Sequence, residues 1–188
     1  MLQTLAEHTA HDEIWVFGYG SLIWRPEFPF QEDRLATLHG YHRSLCLWSS
    51  VNRGTPEQPG LVFGLDEGGI CEGKVYKLPP TNIHEQFRKL WKREMPSGAY
   101  LPKWLPCDTT AGSVTALAFV MDTESHAYVQ GLSRDETIDI VVNAIGNSGP
   151  CPEYVIETAN ALAQASIKDE DLFQLAELIK HRINNQQT

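Results

Sequence analysis

Apolar and polar residues follow two rhythms along this chain. The early part carries a strand rhythm. Ile14-Trp15-Val16-Phe17 is a short apolar run that predicts a first strand. It stops at Gly18-Tyr19-Gly20-Ser21, where two glycines around one tyrosine predict a tight turn, and apolar residues resume at Leu22-Ile23-Trp24. Pro26 and Pro29 make residues 24–33 irregular. Residues 35–48 alternate at strand period, with Gly40 placed for a bend or bulge. A loop over 49–60 is punctuated by Asn52, Gly54, Pro56 and Pro59. Residues 61–65 and 70–78 then predict a hairpin across Asp66-Glu67-Gly68-Gly69.

A helical rhythm follows. Pro79-Pro80 blocks further strand, Thr81 or Asn82 is placed to cap, and Ile83, Phe87, Leu90 and Trp91 recur at i, i+4, i+7 and i+8. Pro96 ends this helix. Two strands over 99–107 and 113–121 come next, the second apolar on both faces and so central. The last third is helical. Ser133-Arg134-Asp135-Glu136 is a capping-box pattern ahead of Ile138, Val141, Val142 and Ile145, with Gly146 and Gly149-Pro150 to stop the helix. Helices over 152–165 and 168–183 follow, the last with Asp169 or Asp171 at its start and Lys180, His181 and Arg182 near its end. Strands first and helices afterwards make an α+β pattern, read as a loose polar arm over 1–13 and a single domain over 14–188.

Composition narrows the classes of function. A chain of 188 residues can bury a sizeable core. Its net charge of −9 leaves no basic stripe for nucleic acid phosphates and disfavours anionic membrane surfaces. No apolar run approaches the roughly 20 residues that span a bilayer. The N-terminal stretch carries Glu7, Asp12 and Glu13 without an apolar signal core, which favours the cytoplasm. Cys46, Cys71, Cys107 and Cys151 are scattered without zinc or redox spacing and read as small buried hydrophobes. The seven histidines, His39 and His42 among them, show no metal-binding signature. Neither metal nor cofactor is expected, and the oligomeric state is left open.

Two stretches can carry chemistry. Glu94 lies eleven residues beyond Ile83, which on a helix brings it back to within about 20° of the same face. A helix reaching that far aligns its carboxylate with the apolar stripe, at the end where negative charge is disfavoured. Both effects raise its pKa, as a general acid/base needs. Pairing with Arg88 or Arg93 is the ordinary alternative, and Glu85 falls on the solvated face. The second stretch is the Tyr19 turn, where the amides of Ser21 and Leu22 form a small nest suited to a carboxylate or an oxyanion. Ser21 lacks the Gly-x-Ser-x-Gly elbow of a nucleophile, and Gly18-x-Gly20 lacks the later glycine and lysine of a phosphate loop.

Tyr19-Gly20-Ser21-Leu22-Ile23-Trp24, Phe28-Pro29-Phe30, Arg53-Gly54-Thr55-Pro56 and Pro59-Gly60 resemble, in order, the ChaC-type γ-glutamylcyclotransferases. So do Gly73-Lys74-Val75-Tyr76, Arg93-Glu94, Gly98-Ala99-Tyr100 and Gly149-Pro150 leading to Glu153-Tyr154. The resemblance implies a small mixed β-barrel with flanking helices. It also implies cleavage of glutathione to 5-oxoproline and cysteinylglycine, by attack of the glutamyl α-amine on the γ-carbonyl. It makes Glu94 the catalytic residue and Tyr19, Gly20, Ser21 and Leu22 the loop that holds substrate. Tyr154 follows as a pocket residue, and the loops bearing Arg53 and Tyr100 as contacts for the cysteinylglycine half. Val51-Asn52 and Gly98-Ala99-Tyr100 stand where many members have Asp-His and Gly-Gly-Tyr, which bears on the leaving amine. Other γ-glutamyl dipeptides or amines are the alternative substrates, and a non-catalytic γ-glutamyl-binding module is the alternative class.

Overall fold

A short helix, α1 (Leu2–Glu7), stands within the stretch read as a loose arm. Trp104 Nε1 donates to Thr4 O at 2.8 Å, and Met1 and Leu5 pack on the apolar core. The structure, a computed structural model, describes residues 1–7, 13–95 and 98–186. Contacts divide it into two compact units, Met1–Arg43 with Leu65–Ser125, and Ser44–Gly64 with His126–Thr188.

The first unit is built on β1 (Trp15–Gly18), α2 (Ser21–Trp24), the N-terminal part of β2 (Glu32–Ser49), the C-terminal part of β3 (Gly60–Lys77), α3 (Ile83–Glu94), β4 (Tyr100–Thr109) and β5 (Gly112–Met121). Five strands close into a barrel in the order β1-β3-β2-β4-β5. β1 runs antiparallel to β3, with Trp15 opposite Lys77, and parallel to β5, with Trp15 opposite Ala116. β5 pairs antiparallel with β4 along its whole length, from Gly112 to Met121. Flanked on both sides, β5 is buried from Ala116 onward, as its two apolar faces require.

The predicted hairpin over 61–78 is absent: β3 is one strand of 18 residues. Asp66-Glu67-Gly68-Gly69 bends it without reversing it. Gly68 and Gly69 take φ of 92° and 74°, and Gly40 on β2 takes 83°, a conformation that glycine adopts without strain. Such glycine bends let long strands curve around a small barrel. The Gly68 carbonyl lies 3.0 Å from His42 Nδ1 on β2.

α3 forms where its period predicts and buries Phe87 and Leu90 in a cluster with Val16, Leu22, Phe28, Tyr76, Leu78, Leu117 and Phe119, with Ile83 and Trp91 packed at its edge. Full burial of a side chain such as Phe87 contributes about 1.5–3 kcal/mol. The cap differs from expectation. Asn82 sits in the left-handed region at φ 55°, and its side chain makes no capping bond. Its carbonyl accepts from the Glu85 and Gln86 amides, while Gln86 Nε2 donates to Thr81 O.

The second unit carries α4 (Arg134–Asn143), the two-residue pair β6 (Ile145–Gly146) and β7 (Gly149–Pro150), α5 (Cys151–Gln164) and α6 (Glu170–Gln186). The Ser133–Glu136 capping box is present in both directions. α4 ends earlier than predicted. Ala144 turns to an extended conformation and accepts from the Cys151 amide, so Ile145 leaves the helix for β6, 61% exposed. Asp169 Oδ1 accepts from the Leu172 amide at 3.1 Å and caps α6. α4, α5 and α6 pack on one another through buried residues including Val141, Leu162 and Ile179. Among the described residues, no helix is long and apolar enough to cross a membrane.

Candidate active site

α3 runs far enough to decide where Glu94 sits. It is the last helical residue, and its side chain is 17% exposed, whereas Glu85 on the other face is open to solvent beside Lys89. Met95 leaves the helix, with its amide on Trp91 O, and Pro96, read as the helix stop, lies outside the described residues. Burial pushes the Glu94 carboxyl above its ordinary pKa; the Arg93 guanidinium pulls the other way, and Glu27 adds to the rise. Arg93 Nε lies 2.9 Å from Glu94 Oε1, close enough for an ion pair, yet its N–H is not aligned on that oxygen. Oε1 is buried with no hydrogen-bond partner among the described residues. Both sequence readings of Glu94 therefore hold together: it is buried, and it has an arginine neighbour.

The turn after β1 is held by contacts to β5 and β2. Tyr19 is buried, and its hydroxyl donates to Phe119 O at 3.1 Å. Its carbonyl accepts from Arg43 Nε at 2.5 Å. Gly20 immediately precedes α2 as its N-cap, and its carbonyl accepts from the Ile23 amide. The amides of Ser21 and Leu22 are first-turn donors, and among the described residues neither has an acceptor. Leu22 points into the core beside Tyr76 and Phe87. Gly18 must be glycine there, because a Cβ on it would lie 2.9 Å from that of Leu22 and 3.0 Å from the Tyr76 ring. Arg93 Nη2 donates to Ser21 Oγ at 3.1 Å, which ties the turn to the residue beside Glu94. Tyr100 opens β4 and packs against the same cluster as Leu22.

Arg53 and Tyr154 form a cluster of their own in the second unit. The Arg53 guanidinium lies over the Tyr154 ring at 5.5 Å and donates from Nη1 to Pro150 O at 3.0 Å, with Glu153 Oε2 at 3.7 Å. Arg53 is only 5% exposed. Tyr154 Oη accepts from the Phe63 amide at 3.1 Å. Asn147 and Ser148 donate their amides to Val51 O and Asn52 O, so the loop before Arg53 is bound to the turn between β6 and β7. A buried guanidinium with a charge-assisted bond contributes to stability. Arg53→Met is expected to lower it by about 2 kcal/mol, read as a fall in the urea midpoint.

Three charged residues take part that sequence reading did not assign to the site. Arg93, read as a partner for Glu94 and as part of the Arg93-Glu94 motif, also contacts Ser21 and the backbone beyond α2. Glu27 carries a left-handed φ of 55° and pairs with both Arg25 and Arg93. Its place between Pro26 and Phe28-Pro29 signals an irregular backbone, but nothing local shows where its carboxylate goes. Arg43, which holds the Tyr19 carbonyl from 24 residues away, leaves no local signal either.

The closed barrel with flanking helices is the γ-glutamyl cyclotransferase fold. A yeast structure described as a γ-glutamyl cyclotransferase specific to glutathione superposes with a TM-score of 0.81 at 24% identity, over 91% of this chain and 97% of that one. The chain belongs to the ChaC-like protein family, whose model matches residues 14–182. It is 35% identical over 178 residues to the glutathione-specific γ-glutamylcyclotransferase of Escherichia coli, covering 94% of this chain and 77% of that protein. It is 31% identical over 174 residues to the glutathione-specific γ-glutamylcyclotransferase 1 of Mus musculus, covering 88% and 78%.

Proposed function

We propose that this protein is a γ-glutamylcyclotransferase that cleaves glutathione into 5-oxoproline and cysteinylglycine. The observation that carries the reading is the buried, hydrogen-bond-poor carboxyl of Glu94, tied through Arg93 to the α2 turn. The substrate brings its own nucleophile. The glutamyl α-amine attacks the γ-carbonyl carbon, a five-membered ring closes, and the bond to the cysteinyl nitrogen breaks. No water is consumed, and the two products together contain every atom of the substrate. Holding the bent conformer supplies much of the rate by proximity.

Two proton transfers remain, and Glu94 serves both. As a carboxylate it takes a proton from the α-ammonium; as a carboxylic acid it returns one to the departing nitrogen, which cannot leave as an amide anion. A raised pKa suits a group that must spend time in both forms. The Ser21 and Leu22 amides hold the substrate carboxylate or the developing oxyanion, with Tyr19 and Gly20 shaping that turn. Tyr100 lines the same side, and Arg53 and Tyr154 are carried as substrate contacts on the family resemblance. A cytoplasmic setting suits four buried cysteines that form no disulfide.

The test is incubation of the purified protein with glutathione, with 5-oxoproline and cysteinylglycine expected in equal amounts. Faster release from γ-glutamyl-alanine than from glutathione would move the assignment to other γ-glutamyl amides. Tight glutathione binding without either product would overturn it.

A further inference from the structure

Arg93 makes more contacts than an ion pair with its neighbour requires. Nη1 donates to Arg25 O at 2.5 Å and Pro26 O at 2.9 Å and reaches Glu27 Oε2 at 3.1 Å. Nη2 donates to Ser21 Oγ at 3.1 Å, and Nε faces Glu94 Oε1 at 2.9 Å. All three guanidinium nitrogens are used, on the last turn of α3, the first residue of α2 and the loop that follows it. That loop folds back through Glu27, whose left-handed φ of 55° is unfavourable for a residue with a Cβ. The fold brings the Glu27 carboxylate onto the guanidinium, and Arg25 Nε holds its other oxygen at 2.6 Å. A planar fork can satisfy these directions together, and an ammonium cannot.

We propose that Arg93 is a positioning residue for ring closure: it fixes the Glu94 carboxylate relative to the Ser21 end of α2, and Glu27 clamps it in place. The inference rests on the functional reading above and deepens it. Glu94 is charged when it accepts a proton, so a cation against Oε1 fixes the carboxylate without occupying it by an aligned hydrogen bond. Among the described residues, two charged groups face Glu94: Arg93 from α3 and Glu27 from the loop after α2, with Arg25 acting through Glu27. They act on its ionisation in opposite senses. Arg93 favours the carboxylate; Glu27 disfavours it.

The experiment pairs pH profiles of glutathione turnover with a 13C NMR titration of the Glu94 side chain in ligand-free protein. Arg93→Met is expected to lower kcat on the order of 100-fold with little change in KM, because the carboxylate is misplaced while the remaining contacts persist. Its acid limb, and the Glu94 titration, move to higher pH. Glu27→Gln moves both to lower pH. Arg93→Lys restores the charge but not the fork, so its profile returns towards the native position while kcat stays reduced. If Arg93→Met does not fold, the Arg93→Lys and Glu27→Gln arms carry the test. Native turnover combined with titrations that stay put, or that move the same way in Arg93→Met and Glu27→Gln, overturns the positioning role alone. A native protein that releases no 5-oxoproline overturns the functional reading, whatever the variants do.

Discussion

Glu94→Gln is expected to fold as the native chain does and to release 5-oxoproline about 1,000-fold more slowly, with KM nearly unchanged. A positioned proton carrier contributes roughly 100- to 10,000-fold, and the amide can neither take a proton from the ammonium nor give one to the leaving nitrogen. Side-chain volume is kept, and Arg93 retains Glu27. The same variant reads the ionisation through stability. Because burial raises the Glu94 pKa above the ordinary 4.5, the favourable contribution of the protonated side chain is complete below that value. It is lost as pH rises through the raised one. Glutamine never ionises. The melting temperature of Glu94→Gln, relative to native, should therefore climb as pH rises from about 4.5 through the raised value. A difference that does not change with pH would mean that this carboxyl titrates as an exposed one does. Native-like 5-oxoproline release by the variant would remove Glu94 from the chemistry.

Gly60→Ala is expected to be the most destabilising of the substitutions considered. A Cβ on Gly60 would lie 2.1 Å from Arg53 O and 3.0 Å from Cys151 Sγ, and one on Gly54 would lie 2.2 Å from Gly60 N. The obstacles are largely backbone, so nothing flexible can give way. We expect a loss of about 3 kcal/mol or more, or a melting temperature lower by about 6–12 °C. Gly40→Ala is the control. There the Cβ meets nothing within 4 Å, and only the positive φ opposes it, at a cost of about 1–2 kcal/mol. Equal losses in calorimetry for the two variants would mean that the crossing of residues 53–54 with 60 is looser than these distances imply.

What was legible in the sequence followed how local the signal was. The α3 stripe from Ile83 to Trp91 and the Ser133–Glu136 box are decided within one or two turns of helix, and both formed as read. The extension of α3 to Glu94 needed only its period. The hairpin reading failed at Gly68-Gly69 because paired glycines serve a strand bend as well as a reversal, and barrel curvature selected the bend. Ile145 failed similarly: its helical spacing was overruled by Ala144 and Cys151, which bond across the β6–β7 turn. In the site, Glu94 could be read because periodicity places a carboxylate on a face. Arg93 and Glu27 could not be assigned, since their partners lie 66 to 72 residues apart along the chain.

The four cysteines, read as small core residues, carry a chemical consequence for a protein that handles a thiol peptide. All four are buried and outside any disulfide, and burial pushes the Cys107 thiol up to about 12 and the Cys151 thiol to about 11. Exchange with a disulfide begins from an accessible thiolate. Shielded from solvent, the four sulfurs are expected to stay out of mixed disulfides with the oxidised form of the proposed substrate, and the raised pKa of Cys107 and Cys151 adds to that protection. Turnover is then expected to be the same in reducing and mildly oxidising buffer, independent of the redox poise that governs how much substrate there is.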